Sequence, residues 1–195
     1  MCHLASSTLK MDNSLNSHRT WISDLIVRTL AGQTIPFSPI QEQHIKLLIR
    51  WYPQITQHGK DFYSFYMKSK RVNASPQARK ALASCQNIRF SRAAFNELKN
   101  QQTPDLYPEH NPSVKQIYDI VLSELNLTVE RLSTIFTLNN YEVIMLTKAE
   151  SKKIQIKHRI SGCALTRLQA AFEIDNCDEI IVSKEEIKRY LDDGR

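Results

Sequence analysis

Three times in this chain a small polar residue is followed by proline and then by a run of helical periodicity: Ser38-Pro39 before IQEQHIKLLIRWY, Ser75-Pro76 before QARKALASC, and Asn111-Pro112 before SVKQIYDIVLSEL. The polar side chain can accept from the unpaired N–H groups of a first helical turn. Proline at the first helical position gives up only an N–H that has no partner there anyway. The same punctuation, without proline, places Ser91 before RAAFNELKNQ, Thr128 before VERLSTIF, and Ser183 before KEEIKRYL, with Glu186 at capping-box distance. Most of the chain is therefore predicted to be helical.

The apolar periodicity agrees. Trp21, Leu25, Ile26 and Leu30 share one face of a predicted helix. Ile40, Ile45, Leu47, Leu48 and Trp51 form a broad stripe on the next. Val114, Ile117, Tyr118, Val121, Leu122 and Leu125 form a clean one after Pro112. With only 4 Gly in 195 residues, an all-β fold with its many tight turns is disfavoured. Strand signals are few. YEVIMLT (141–147) reads as a buried strand, and DEIIVS (178–183) and IQIKHRI (154–160) are two further candidates. The fold class is α+β and predominantly helical. A disordered lead-in covers 1–14, with Met11 a candidate start. A basic helical region covers 15–100, and NQQTPDLYPEHN marks a linker over 101–111. An α+β region with two or three short strands covers 112–195, and the two regions are able to share one core.

Charge is unevenly placed. Residues 1–100 carry 14 Lys/Arg against 5 Asp/Glu, whereas residues 101–195 carry 12 against 15. A basic half suggests a nucleic acid or another polyanion as partner, although a solubility charge would look the same. Lys68, Lys70 and Arg71 follow an aromatic run, and Arg79, Lys80, Arg89 and Arg92 come next. These seven are the candidate phosphate contacts. The spacing of Phe62, Phe65 and Tyr66 fits a packed helix face better than a base-stacking platform.

Cys2, Cys85, Cys163 and Cys177 show no metal-ligand spacing and read as free thiols of a reducing, cytoplasmic compartment. No run of apolar residues is long enough to span a membrane, so no membrane partner is expected. G-x-S-x-G, H-E-x-x-H and the Gly-rich phosphate loop are absent from the sequence. Glu186-Ile187-Lys188 lies on a predicted helix, the wrong setting for a nuclease Glu-x-Lys. Nothing in the spacing singles out Cys163 with His158 or His110 as a nucleophile pair.

That leaves Glu109 and His110, just outside the helix predicted to start at Asn111-Pro112. The positive end of a helix dipole favours an ionised Glu109 and a neutral His110, a combination suited to a divalent metal or to general-base work. A histidine that only hydrogen-bonds the turn would fit equally.

An acidic residue before His with a nearby proline is similar to the start of the ββα-metal (HNH) nuclease motif. The resemblance rests on Glu109, His110 and Pro112. It implies His110 as general base on a water attacking phosphate, Glu109 and His110 at the metal, and Mg or Mn as cofactor. Proline follows His by two positions rather than three, and the best completion is Asn139 or Asn140 with His158. The Glu-His-x-Pro start, followed by a strand ending in Thr147-Lys148-x-Glu150, also resembles uncharacterised bacterial proteins. That likeness implies one shared site and makes Glu150 the third catalytic candidate. Otherwise Thr147 caps a short helix with Glu150 at capping-box distance. The leading expectation is a nucleic-acid-associated protein of a bacterial defence or mobile-element system, extending to a metal-dependent endonuclease. The alternative is a non-enzymatic regulator, inhibitor or scaffold that binds another macromolecule, such as a protein partner, through a helical face.

Overall fold

The structure, a computed structural model, describes residues 19–31, 37–54, 75–85, 87–101, 104–124, 126–157 and 164–193. Among these, nine helices surround a small mixed sheet, so the fold is α+β and predominantly helical as expected. In chain order they are α1 (19–30), α2 (Pro39–Trp51), α3 (Pro76–Ala83), β1 (Ile88–Phe90), α4 (Arg92–Asn100), β2 (Leu106–Asn111), α5 (Val114–Ser123), α6 (Val129–Leu138), β3 (Glu142–Thr147), α7 (Lys148–Lys157), α8 (Ala164–Phe172) and α9 (Lys184–Asp192). No described helix is long and apolar enough to cross a membrane.

The caps read from sequence hold at Ser38, Ser75, Ser91, Thr128 and Ser183, each of which accepts from the backbone N–H three residues on. Asn111 differs. It ends β2, the Asn111-Pro112 peptide is cis, and the cap of α5 is Ser113, closed reciprocally by Gln116. Asn111, read as the cap of this helix, belongs instead to a strand.

That strand corrects the linker reading of 101–111. Residues 106–111 pair antiparallel with β3, from Leu106 opposite Thr147 to Asn111 opposite Glu142. β1 pairs parallel with β3 on the other side, giving the order β1-β3-β2. As an edge strand, β2 can carry Pro108, which has no N–H to offer a ladder. The other two strand candidates are also corrected. Residues 154–157 continue α7, while 158–160 lie outside the described residues. Cys177–Glu179 forms a 3₁₀ turn, and Ile181 makes only an isolated bridge to Ser91.

β3 is the pivot of the molecule. Its alternate residues feed two cores, as a period-two strand buried on both faces must. Val143 and Met145 join Phe90, Phe95, Leu98 and Leu106 under α3, α4 and α9. Ile144 and Leu146 join Ile154, Leu168 and Ala171 under α7 and α8. A third core, almost wholly helical, packs Ile22, Ile26, Ile45 and Ile49 against Ile117, Leu132, Phe136 and Tyr141. α1 and α2 therefore share their core with α5 and α6.

Candidate functional site

Neighbouring residues of a strand point to opposite faces, and β2 sends Glu109 and His110 apart. Glu109 lies opposite Ile144 and His110 opposite Val143, so each takes the face of its cross-strand partner. The two side chains point to opposite faces of the strand.

His110 is buried, 8% exposed. Its Nδ1 lies 3.0 Å from the Tyr141 hydroxyl, and the two rings stack with centroids 5.7 Å apart. Burial, with the Arg50 guanidinium nearby, pushes the imidazole down from its ordinary 6.5 to about 3. Burial likewise pushes the Tyr141 phenol above its ordinary value. Both groups stay uncharged at neutral pH. Burial is the leading cause, rather than a helix start at Asn111-Pro112, since α5 begins only at Val114.

Glu109 faces α7 and α8. Its Oε2 lies 3.5 Å from the Arg167 guanidinium, and Ser151 Oγ approaches its Oε1 at 3.5 Å. Burial raises its pKa, while Arg167 and Ser151 oppose that rise. Glu150 turns elsewhere. Its Oε2 accepts from the Thr147 N–H at 2.8 Å, Thr147 Oγ1 at 3.0 Å and Ser91 Oγ at 2.7 Å, and its own N–H donates to Thr147 Oγ1. The pair Thr147/Glu150 is a capping box on α7. Through Ser91 it also fastens that helix start to the cap of α4. The three catalytic candidates therefore hold three different sets of partners. Among the described residues no three His, Cys, Asp or Glu side chains converge on a common point.

The basic candidates are drawn into the fold. Arg79 donates to the Lys99 and Gln101 carbonyls at 3.3 and 3.0 Å, at the end of α4. Lys80 donates to the Leu191 carbonyl at 3.1 Å, in the last turn of α9. Arg92 pairs with Glu186 at 3.0 Å, and Arg89 lies 3.6 Å from Glu142. The charge surplus of the first half is thus partly matched, side chain to side chain, by the acids of the second. Lys68, Lys70 and Arg71, and the aromatic run before them, lie outside the described residues, as do His158, Cys2 and Cys163. Cys85 and Cys177 are buried thiols, and burial pushes the Cys85 thiol up to about 12, which leaves it unreactive.

A cleft of about 480 Å³ runs along β2, taking Glu109 and His110 from its two faces. Leu47, Arg50 and Trp51 of α2 form one wall, and Pro108, Val114 and Arg167 contribute to the rest. The sequence reading named neither Arg50 nor Arg167. It also merged two stripes of α2. Ile45, Leu48 and Ile49 are buried, while Ile40 and Leu47 are 65% and 40% exposed. A signal for this was present, since Ile40, Leu47 and Trp51 sit at i, i+7 and i+11, a helical arc separate from that of Ile45, Leu48 and Ile49. No family model, curated protein or solved structure matches this chain.

Proposed function

We propose that this chain is a non-enzymatic binding protein that docks another macromolecule through the outer face of α2 and the cleft beside β2. One observation carries the reading: a helix that already buries Ile45, Leu48 and Ile49 also leaves Ile40 and Leu47 in water on a second arc. Apolar side chains grouped at the lip of a cleft are the common mark of an interaction surface. Docking needs no reacting pair, and side chains on opposite faces of β2 offer none.

Association with nucleic acid, extending to a Mg- or Mn-dependent nuclease of a defence or mobile-element system, is the second reading. Its support is the positive surplus of residues 1–100. It would require Arg79, Lys80, Arg89 and Arg92 to leave the partners they hold. One buried imidazole and one ion-paired carboxylate on opposite faces do not fit a divalent-ion site, so no step through a metal is derived.

The test places a photo-activated cross-linker at position 47 in cell extract, with the same group at exposed position 185 as control. A discrete protein adduct from position 47 alone is expected. Adducts to nucleic acid, or the same products from both positions, would count against docking. In parallel, plasmid nicking with Mg²⁺ or Mn²⁺ should be no greater for wild type than for His110→Ala. Nicking lost in both Glu109→Gln and His110→Ala would restore the nuclease.

A further inference from the structure

We infer that the partner segment that docks on α2 is an acidic, apolar stretch of polypeptide, with its apolar side chains on Ile40, Leu47 and Trp51 and a carboxylate at Arg50. The inference rests on the docking reading above and adds the chemistry of the guest.

Charge supplies the first argument. The exposed positions of α2 on this side are Ile40, Gln43, His44, Leu47 and Arg50, with Trp51 half-buried at the cleft, and none is a carboxylate. The acid of the helix, Glu42, sits on a flank and pairs with Lys46. Arg50 is exposed and has no ion-pair or hydrogen-bond partner among the described residues. Its charge also acts on His110, which lines the cleft, and on Tyr141, whose hydroxyl lies 3.0 Å from that ring. Across the cleft Arg167 holds Glu109, yet its Nε is buried with no acceptor among the described residues. A guest therefore meets an apolar strip with a positive balance, and a carboxylate between apolar side chains complements it.

Length supplies the second argument. From Ile40 to Trp51 the strip extends about 16 Å along the helix. That is longer than a small molecule seated in the cleft would cover, and it suits several turns of a peptide. Arg50 and Trp51, which line the cleft, are also of residue types enriched at the hot spots of protein interfaces.

Three fluorescent probes test this against the full chain: a short amphipathic peptide with Leu on one face and Glu on the other, its counterpart with Lys replacing Glu, and a single-stranded DNA oligonucleotide. The Leu/Glu peptide is expected to bind at least about tenfold tighter than the Leu/Lys peptide. Arg50→Glu should weaken the Leu/Glu peptide about tenfold and spare the Leu/Lys peptide, whereas Leu47→Gln should weaken both. Both substitutions are at exposed positions, and an unchanged circular dichroism melt confirms that the fold is kept. Equal affinity for the two peptides, no binding of either, or an Arg50→Glu variant that binds the acidic peptide as well as wild type overturns the inference. If any of these occurs while position 47 still cross-links to protein, docking stands and only the guest's charge is wrong. If the oligonucleotide binds in place of the peptide and position 47 cross-links to nucleic acid, docking on a protein fails as well.

Discussion

Glu109 and His110 are covalent neighbours on opposite faces of one strand, and burial pushes each toward its uncharged form against different neighbours. On one face of β2 the imidazole is enclosed with Tyr141 in a core of helices and is held neutral. On the other face the carboxylate keeps an arginine and a serine within reach, and its pKa is raised by burial. A dipeptide that looks like a catalytic pair in a sequence is, on a strand, split by the pleat. Each residue answers to what its face packs against. The same holds for α2, whose inner arc builds a core while Ile40 and Leu47 on its outer arc stay exposed.

The largest expected effect comes from opening the His110 side. Tyr141 is 1% exposed and packs against Phe136 with ring centroids 5.5 Å apart. Tyr141→Ala should cost roughly 4 kcal/mol in urea unfolding by leaving a cavity and an unpartnered ring nitrogen. Tyr141→Phe, which keeps the packing, should cost only about 1–2 kcal/mol.

Acid sharpens the comparison, because the two faces respond with opposite sign. A histidine whose folded pKa is depressed contributes stability that is present above its unfolded value, 6.5, and lost as pH falls toward about 3. Between about pH 6 and about pH 4 that loss should reach about 2–3 kcal/mol. Glu109, with its folded pKa raised above 4.5, contributes stability that is present below 4.5 and lost as pH rises through the folded value, so it partly offsets the histidine. Urea unfolding at several pH values should therefore show a steeper acid loss in Glu109→Gln and a flatter profile in His110→Leu.

Smaller effects belong to Glu150 and the α2 face. Glu150→Ala should cost about 2 kcal/mol by freeing the Thr147 N–H and the Ser91 hydroxyl at the start of α7. Leu47→Gln should change thermal stability by less than about 0.5 kcal/mol, since the side chain is already exposed. A large loss there would move Leu47 from the docking face into the core.

Local rules made much of this fold legible. Ser38, Ser75 and Thr128 announce their helices because a cap is a contact within four residues of chain. β3 was legible because a strand buried on both faces must be apolar throughout. β2 was not, because LYPEHN carries proline and polar groups and becomes a strand only through pairing with β3, some thirty residues away. The start of α5 shifted from Asn111 to Ser113 for the same reason, since the ladder claims Asn111 opposite Glu142. The alternation of IQIKHRI suggested a strand, yet Thr147 and Glu150 had already started a helix that runs through Lys157. The site was legible only in part. The sequence singled out His110 but set it before a helix start, because its place on a strand, and which face of β2 or of α2 meets a core, depend on tertiary packing. Arg167, far along the chain, carried no mark of its approach to Glu109.

The separation of Glu109 from His110 is tested most directly by an NMR titration of the His110 ring in wild type and in Glu109→Gln. If the two are divided by the strand, the ring stays neutral down to well below pH 5, and its titration is the same in both proteins. A ring that titrates near or above 6.5 in wild type, and moves when Glu109 is neutralised, would make the two residues a coupled pair and return the chemical reading to this site.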